Sequence, residues 1–448
     1  MTTILAALSL APRAAAEDVR ALTLAYNASG LELLQRLARS PGNVVLSPYS
    51  IGTAMAMARS GARGPTEAEM ARVLRHRLDR AATDMANAEL LKILNGYDKS
   101  AVAPGCEQGL QWNGQRCEGP AAGDGRCPST AHREGERCLG EPIFRPASAK
   151  LSLANALLLL ADEKEAVSPD YQRLVETCYG AETLAQIGQE PIRLEQVNAW
   201  VSARTEGKIP TILDRLDPDA VAVLLDAIYF KAHWAQRFNK AATRDDAFHL
   251  SATQQANVPI MRETGRFALV ARPDYRAVRL PYDVPSLSMV VVLPERTDGL
   301  AEVLAQFDAQ ELTALGAELN LARPRLVALA LPRFKASSRA DLKETLSQLG
   351  MHLAFDRGAA DFSGISGQPL SQRRLAIGQI VHRAVVDVME EGTEAAAATA
   401  VIQQVMAAAR PPQPEQPEAF VVDHPFLFLI VDRTSGAVLF AGRIADPR

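Results

Sequence analysis

Two rhythms of apolar residues run along the chain and predict a mixture of helices and strands. Leucines at helical spacing in residues 19–37, among them Leu31, Leu34 and Leu37, predict a helix packed on a surface. Residues 42–61 (GNVVLSPYSIGTAMAMARSG) read as a short strand and then a helix capped near Ser47, with Pro48 in its first turn and small residues that suit burial. Two or three helices follow in 66–94, one carrying Arg72, Arg75, Arg77 and Arg80 with His76. The apolar runs 151–160 (LSLANALLLL) and 221–234 (VAVLLDAIYFKAHW) predict buried strands, while 169–180 and 192–206 read as helices, the second amphipathic. Further strands are expected at 257–261, 277–281, 288–294 and 326–334, and a helix at 341–349 stopped by Gly350. In 380–389 (IVHRAVVDVM), the residues Ile380, His382, Ala384, Val386 and Val388 share one face of a strand.

That strand leads into the stretch around which the chain is organised, 390–425 (EEGTEAAAATAVIQQVMAAARPPQPEQPEAFVVDHP). Residues 392–401 hold one charge, no proline and almost nothing larger than Thr, so they offer little to anchor a surface loop but fit a tight slot in a sheet. From Ala407 onward, Pro411, Pro412, Pro414 and Pro417 lack backbone donors and favour extended polyproline geometry, which predicts an arm kept in solvent. If the first half lay beside strand 380–389, Thr393, Ala395, Ala397, Thr399, Val401 and Gln403 would face the core and Glu394 would face water. Because 380–389 uses the even positions, the pattern must slip near Gly392, the residue best able to absorb a bulge.

Composition narrows the picture. A length of 448 residues allows two or three domains, or one large domain with an insert. Hydrophobic content of 48% and charged content of 22% describe an ordinary globular chain, and a net charge of -4 gives no general attraction to nucleic acid. No apolar run is long enough for a membrane span. Residues 1–16 (MTTILAALSLAPRAAA) suit a secretory signal in their apolar stretch and Ala14-Ala15-Ala16 ending but lack its basic start; the alternatives are an amino-terminal helix or a misplaced start codon. Cys106, Cys117, Cys127 and Cys138 fall in a Gly- and Pro-rich insert, 104–142, too poor in aliphatic residues to form a core unaided. Disulfides are favoured over zinc because no C-x-x-C pair is present; three pairings are open, and Cys178 is left as a buried thiol. The cysteines favour export, to a secreted, extracellular or periplasmic location.

The run Glu390, Glu391, Gly392, Thr393, Glu394, Ala395, Ala396, Ala397, Ala398 and Thr399 closely resembles the reactive-loop hinge of the serpins, and 424–430 (HPFLFLI) with 439–444 (LFAGRI) resembles their carboxy-terminal strands. The resemblance covers most of the chain and departs from it at the amino terminus, in the insert before Leu151, and in a long arm after Met406. It implies an α+β serpin fold: a large, mixed and mostly antiparallel central sheet, two further sheets, eight to nine helices, and an exposed reactive-centre loop at 390–424, within a single domain spanning 17–448. It further implies that Ser47, Ser50, Asn198, Asp226 and His382 control opening of the sheet. Asn198 would point toward the sheet from a helix lying across it, and Asp226 stands where serpins usually place an Asn bonded to the buried histidine. A carboxylate there would favour the charged imidazole, making the gate pH-sensitive. Trp234, Arg333 and Glu390 would sit at the top of the sheet, Arg333 pairing with Glu390 to hold the hinge.

Apart from this resemblance, no G-x-S-x-G, H-E-x-x-H, G-x-G-x-x-G or Walker pattern is present, and the expectation is a protein without catalytic activity, cofactor or metal. The resemblance implies an inhibitor that serves a serine protease as a suicide substrate, with the scissile bond at Met406-Ala407. Methionine there suits elastase-, chymotrypsin- or subtilisin-like pockets; Arg410 competes for a trypsin-like protease, but Pro411 follows it. The arginines near His76 read as a solvated face more readily than a polyanion site, since Glu67, Glu69 and Asp79 dilute them, and a monomer is expected. Two other classes stay open: a non-inhibitory serpin acting as carrier or chaperone, and a scaffold presenting the Cys-rich insert as a binding module.

Overall fold

The apolar runs at 150–159 and 222–233 are almost wholly buried because the sheet they form is covered on both faces. The computed structural model describes residues 3–97, 111–112, 117–120, 127, 131–135, 137–140, 149–159, 167–184, 194–215, 222–368, 375–393 and 416–448. The central sheet contains β1 (Lys150–Leu159), β2 (Glu182–Leu184), β3 (Ala222–His233), β4 (Phe334–Asp341), β5 (Ile377–Met389) and β6 (Gly392–Thr393), in the order β4-β5-β6-β3-β1-β2. Below β6, β3 and β5 pair directly and in parallel, from Ile377 opposite Ala222 to Val385 opposite Tyr229.

One face of this sheet packs on the main core, to which β5 contributes Ile380, Ala384, Val386 and Val388 on the face the sequence pattern predicts. The opposite face sends Val381 and Val385 of β5 and Val223, Leu225 and Ala227 of β3 into a second, smaller cluster. That cluster is closed by Val197 and Val201 of α3 (Leu194–Arg204) and by Ile209, Ile212 and Leu213 beyond it.

A nine-stranded sheet supplies the rest of the frame. At its centre Leu287–Pro294 pairs with Phe426–Asp432, which pairs with Val438–Ile444. A four-stranded antiparallel sheet lies in the Cys-rich insert, where low aliphatic content had hidden its strands. Cys127 and Cys138 are disulfide-bonded, with Cα atoms 5.4 Å apart, which selects the disulfide over zinc for this pair; Cys106 and the Cys117 side chain lie outside the described residues. Cys178 is free and buried, and burial, reinforced by the Asp84 carboxylate, pushes its thiol up.

Several elements differ from the sequence expectation. The first helix, α1, runs from Thr3 to Leu37, so residues 3–16 belong to it. Ten α-helical segments occur among the described residues; the additions include Leu300–Gln306, Ala309–Leu321 and the four-residue turn Ser363–Ser366. The expected strand 326–334 is two strands, Arg325–Pro332 and β4, with Arg333 at the join. The loop also ends earlier than 424. Glu418–Val421 pairs in parallel with Arg325–Pro332, because Pro417 is the last proline of the arm and the chain regains its donors at Glu418. The cluster near His76 is largely engaged within the fold. Arg75 pairs with Glu32, Arg72 and Arg80 bond carbonyls of Gly350 and Ala62, and burial with the neighbouring Arg59 guanidinium pushes His76 down to about 3. Among the described residues, no helix is long and apolar enough to cross a membrane.

Candidate functional site

At the top of the central sheet the chain leaves β5 and reverses through Glu390 and Glu391. Val388 then lies opposite Thr393, and Met389 opposite Gly392. The expected change of phase is therefore real, but a two-residue turn produces it rather than a bulge: antiparallel partners across such a turn have one even and one odd number. On its other side β6 pairs with β3, Gly392 opposite His233 and Thr393 opposite Ala232, so these two residues fill the seam between β3 and β5. Gly392 is required by close approach, with φ at 155° and no room for a Cβ, which would overlap the Ala232 carbonyl.

Hydrogen bonds and ion pairs from several elements hold the turn. Trp234 N–H donates to Glu391 O at 2.9 Å and Phe238 N–H to Glu390 O at 3.0 Å. The Trp234 indole donates to Met389 O at 2.9 Å and stacks on Tyr282, with ring centres 4.5 Å apart. The Tyr282 hydroxyl lies 2.8 Å from Thr393 Oγ1. Glu390 is only 2% exposed and pairs with the half-exposed Arg333 at 2.5 Å, the partner the resemblance implied. Thr243 also donates to Glu390 Oε1 at 2.7 Å, and Lys240 pairs with the buried Glu391. Burial alone would raise the Glu390 carboxyl, but the bonds from Thr243 and Arg333 outweigh it and hold the group below the usual carboxylate range. Tyr282, Thr243 and Lys240 had no sequence signal; they are remote from the hinge in the chain and meet it only through the fold. Residues 394–415, with Glu394, Ala395, Ala396, Ala397, Ala398, Thr399, Met406, Ala407, Arg410 and Pro411, lie outside the described residues.

Lower in the seam, Asn155 of β1, Asp226 of β3 and His382 of β5 stand in one row. Ser47 caps α2 (Pro48–Gly61) by accepting from Ser50 N–H at 3.0 Å. The Ser47 N–H donates to His382 Nε2 at 3.1 Å, so Nδ1 carries the imidazole proton and faces Asp226 Oδ2 at 2.9 Å. Ser47 thus occupies Nε2 and Asp226 occupies Nδ1, so both ring nitrogens are engaged. Ser50 Oγ donates to Asp226 Oδ1, and Asn155 Oδ1 lies 3.3 Å from the same hydroxyl. Turned over, the Asn155 amide would donate to that hydroxyl and give its otherwise unpartnered Nδ2 a bond. Asn198 differs from expectation. Its three hydrogen bonds go to the backbone of Ile212 and Leu213, so it braces the segment after α3 and bonds no strand of the sheet.

The sequence model of the serpin (serine protease inhibitor) family matches residues 24–447. Leukocyte elastase inhibitor of Bos taurus is 33% identical over 420 residues, covering 91% of this chain and 93% of that protein. An uncharacterised serpin-like protein of Thermococcus kodakarensis is 32% identical over 426 residues, covering 95% and 85%. Among solved structures, human thyroxine-binding globulin complexed with thyroxine shares the fold, with a TM-score of 0.73 at 22% identity, covering 96% of this chain and 99% of that one.

Two measurements follow from these bonds. Because the folded Glu390 carboxyl lies below its ordinary value of 4.5, the stability it adds is present above that value and lost as pH falls through the folded one. Glu390→Gln should therefore cost about 1–2 kcal/mol of stability near neutral pH and show less acid sensitivity in thermal melts than wild type. At the lower row, Asp226→Asn keeps an acceptor for the Ser50 hydroxyl while removing the buried charge, and should change the rate of loop insertion, read as the gain in thermal stability with time after cleavage. An unchanged rate would remove the carboxylate from the gate.

Proposed function

This chain belongs to the serpin family, and on that premise we propose that it inhibits serine proteases as a suicide substrate. A protease serine attacks a bond in the loop between β6 and Glu418, forming an acyl-enzyme. The freed amino-terminal side of the loop then enters the sheet between β3 and β5 and carries the linked protease with it, distorting the protease before water can release it. The observation that carries this reading is β6 itself. Gly392 and Thr393 are already paired on both sides within the seam, so the next residues need only continue that strand as β3 and β5 part.

The residues beyond Thr393 suit that path, being small and uncharged at Ala395, Ala397 and Thr399. On the order of 15 residues gaining ladder bonds at about 0.5–1.5 kcal/mol each give a driving force of roughly 8–20 kcal/mol before entropy costs, enough to make insertion effectively irreversible. In this reading Met406-Ala407 is the scissile bond, with Arg410-Pro411 the alternative, and the target is an elastase-, chymotrypsin- or subtilisin-like protease. The chain acts as a monomer of one domain, 17–448, with the insert 104–142 as an appendage. The Cys127–Cys138 disulfide supports an oxidising, extracytoplasmic location.

A second reading, a carrier, draws support from one cavity of about 830 Å³ between α1, Ala309–Leu321 and the nine-stranded sheet. It is walled by Val19, Leu315, Leu319 and Leu429, and Arg279 lines it while only 8% exposed, with no carboxylate partner among the described residues. Burial and the neighbouring Arg433 guanidinium pull Arg279 down to about 10.

Incubation with a panel of serine proteases, read on a denaturing gel, separates the two. Inhibition gives a covalent band of summed mass and a released fragment beginning at Ala407; a fragment beginning at Pro411 would assign the bond to Arg410. Thr393→Arg, which would place a guanidinium where Thr393 is fully buried, should abolish the covalent band and leave simple cleavage. Clean cleavage of wild type without a complex favours the carrier.

A further inference from the structure

The segment formed by α3 and the residues up to Asp214 lies across the seam that insertion must open, and it is tied to both sides. On the β1–β2 side, Lys150 pairs with Glu206, and Glu182 receives both Arg204 and the Trp200 indole N–H, the latter at 2.9 Å. The Arg204 guanidinium also sits 5.5 Å over the Trp200 ring. On the β4–β5 side, Arg339 pairs with Asp214 and Arg383 donates to the Thr211 carbonyl. Beneath these ties, Ile209, Ile212 and Leu213 share one apolar cluster with Val223, Leu225 and Ala227 of β3 and with Val381 and Val385 of β5.

The two sides are unequal. Arg339 and Arg383 stand directly opposite one another on β4 and β5, and like charges so placed repel. Among the described residues one carboxylate answers them, and the Asp214 side chain is 70% exposed. Arg383 has a neutral carbonyl as its acceptor, and its Nε is buried without a partner. On the other side, two carboxylates each meet a cation and one of them also takes an indole donor.

Inserting a strand between β3 and β5 moves the two sides apart by about 4.8 Å, more than an ion pair or hydrogen bond can span. One set of ties has to let go. We infer that Arg339–Asp214 and Arg383–Thr211 form a releasable latch whose opening limits the rate of loop insertion, while α3 stays attached to β1 and β2 and moves with them. Arg339 acts here as a positioning residue through the 211–214 segment. This inference rests on the inhibitor reading, since it assigns the step that decides whether the loop inserts before the acyl bond is hydrolysed.

The test uses a synthetic peptide with the sequence of residues 393–405, added to the intact full-length protein, with annealing followed as the gain in melting temperature over time. Arg339→Gln and Asp214→Asn should anneal about two- to five-fold faster than wild type at low salt, the range expected for loss of an exposed ion pair. Raising NaCl from about 0.05 M to about 1 M should bring wild type up to the variant rate and leave Arg339→Gln unchanged. The melting temperature of the variant without peptide should stay at the wild-type value, which separates a latch from a general loss of stability. Lys150→Gln, on the opposite side, should anneal at the wild-type rate. Annealing of Arg339→Gln at the wild-type rate across this salt range overturns the latch, and equal acceleration by Lys150→Gln overturns the assignment of the side that opens. If the peptide fails to anneal to wild type at all, the inhibitor reading falls and the latch falls with it.

Discussion

The structure depends on one unusual pairing, that of β3 and β5. They run parallel and bond each other directly along most of their length, yet at the top two residues of the same chain stand between them. Parallel neighbours are normally joined or separated by complete elements, and a two-residue wedge between them satisfies its own backbone groups while leaving the ladder below intact. The sheet is thereby held in an arrangement that extension of the wedge would replace, since every further rung adds bonds on both sides where there was one set before.

Around that seam the protein places polar groups where apolar ones would be expected. Glu390, Glu391 and Asp226 are all buried, and a buried carboxylate costs several kcal/mol unless it is paired and hydrogen-bonded. Each is answered by groups from a different element. Thr243 and Arg333 serve Glu390, Lys240 serves Glu391, and Ser50 with His382 serves Asp226. These contacts are geometric locks more than sources of net stability. They fix where the turn sits and which strands meet, and each is lost if β3 and β5 separate or the turn shifts.

Much of this was legible in the sequence, for a simple reason. Strands covered on both faces must be apolar at nearly every position, so 150–159 and 222–233 stood out, and the even face of β5 was assigned correctly. What stayed hidden had weaker patterns or no local pattern at all. Lys335, Ser337, Ser338, Arg339 and Asp341 disguise β4, an edge strand half open to solvent. The insert strands are too short and too poor in aliphatic residues to announce themselves. Asn198 carried a family-based expectation that its bonds to Ile212 and Leu213 displaced. Tyr282, Thr243 and Asn155 meet their partners at separations of more than 100 residues, which no periodicity can report.

The carboxy-terminal strands bear on what a cut chain would look like. Phe426–Asp432 and Val438–Ile444 lie side by side within the nine-stranded sheet, and Phe426, Phe428, Ile430 and Phe440 have no accessible surface. The two strands downstream of the proline arm are thus knitted into the interior rather than hung on the outside. Severing the backbone in the arm would yield two polypeptides that still share one hydrophobic interior, a nicked heterodimer that sizes as a single particle until a denaturant parts it.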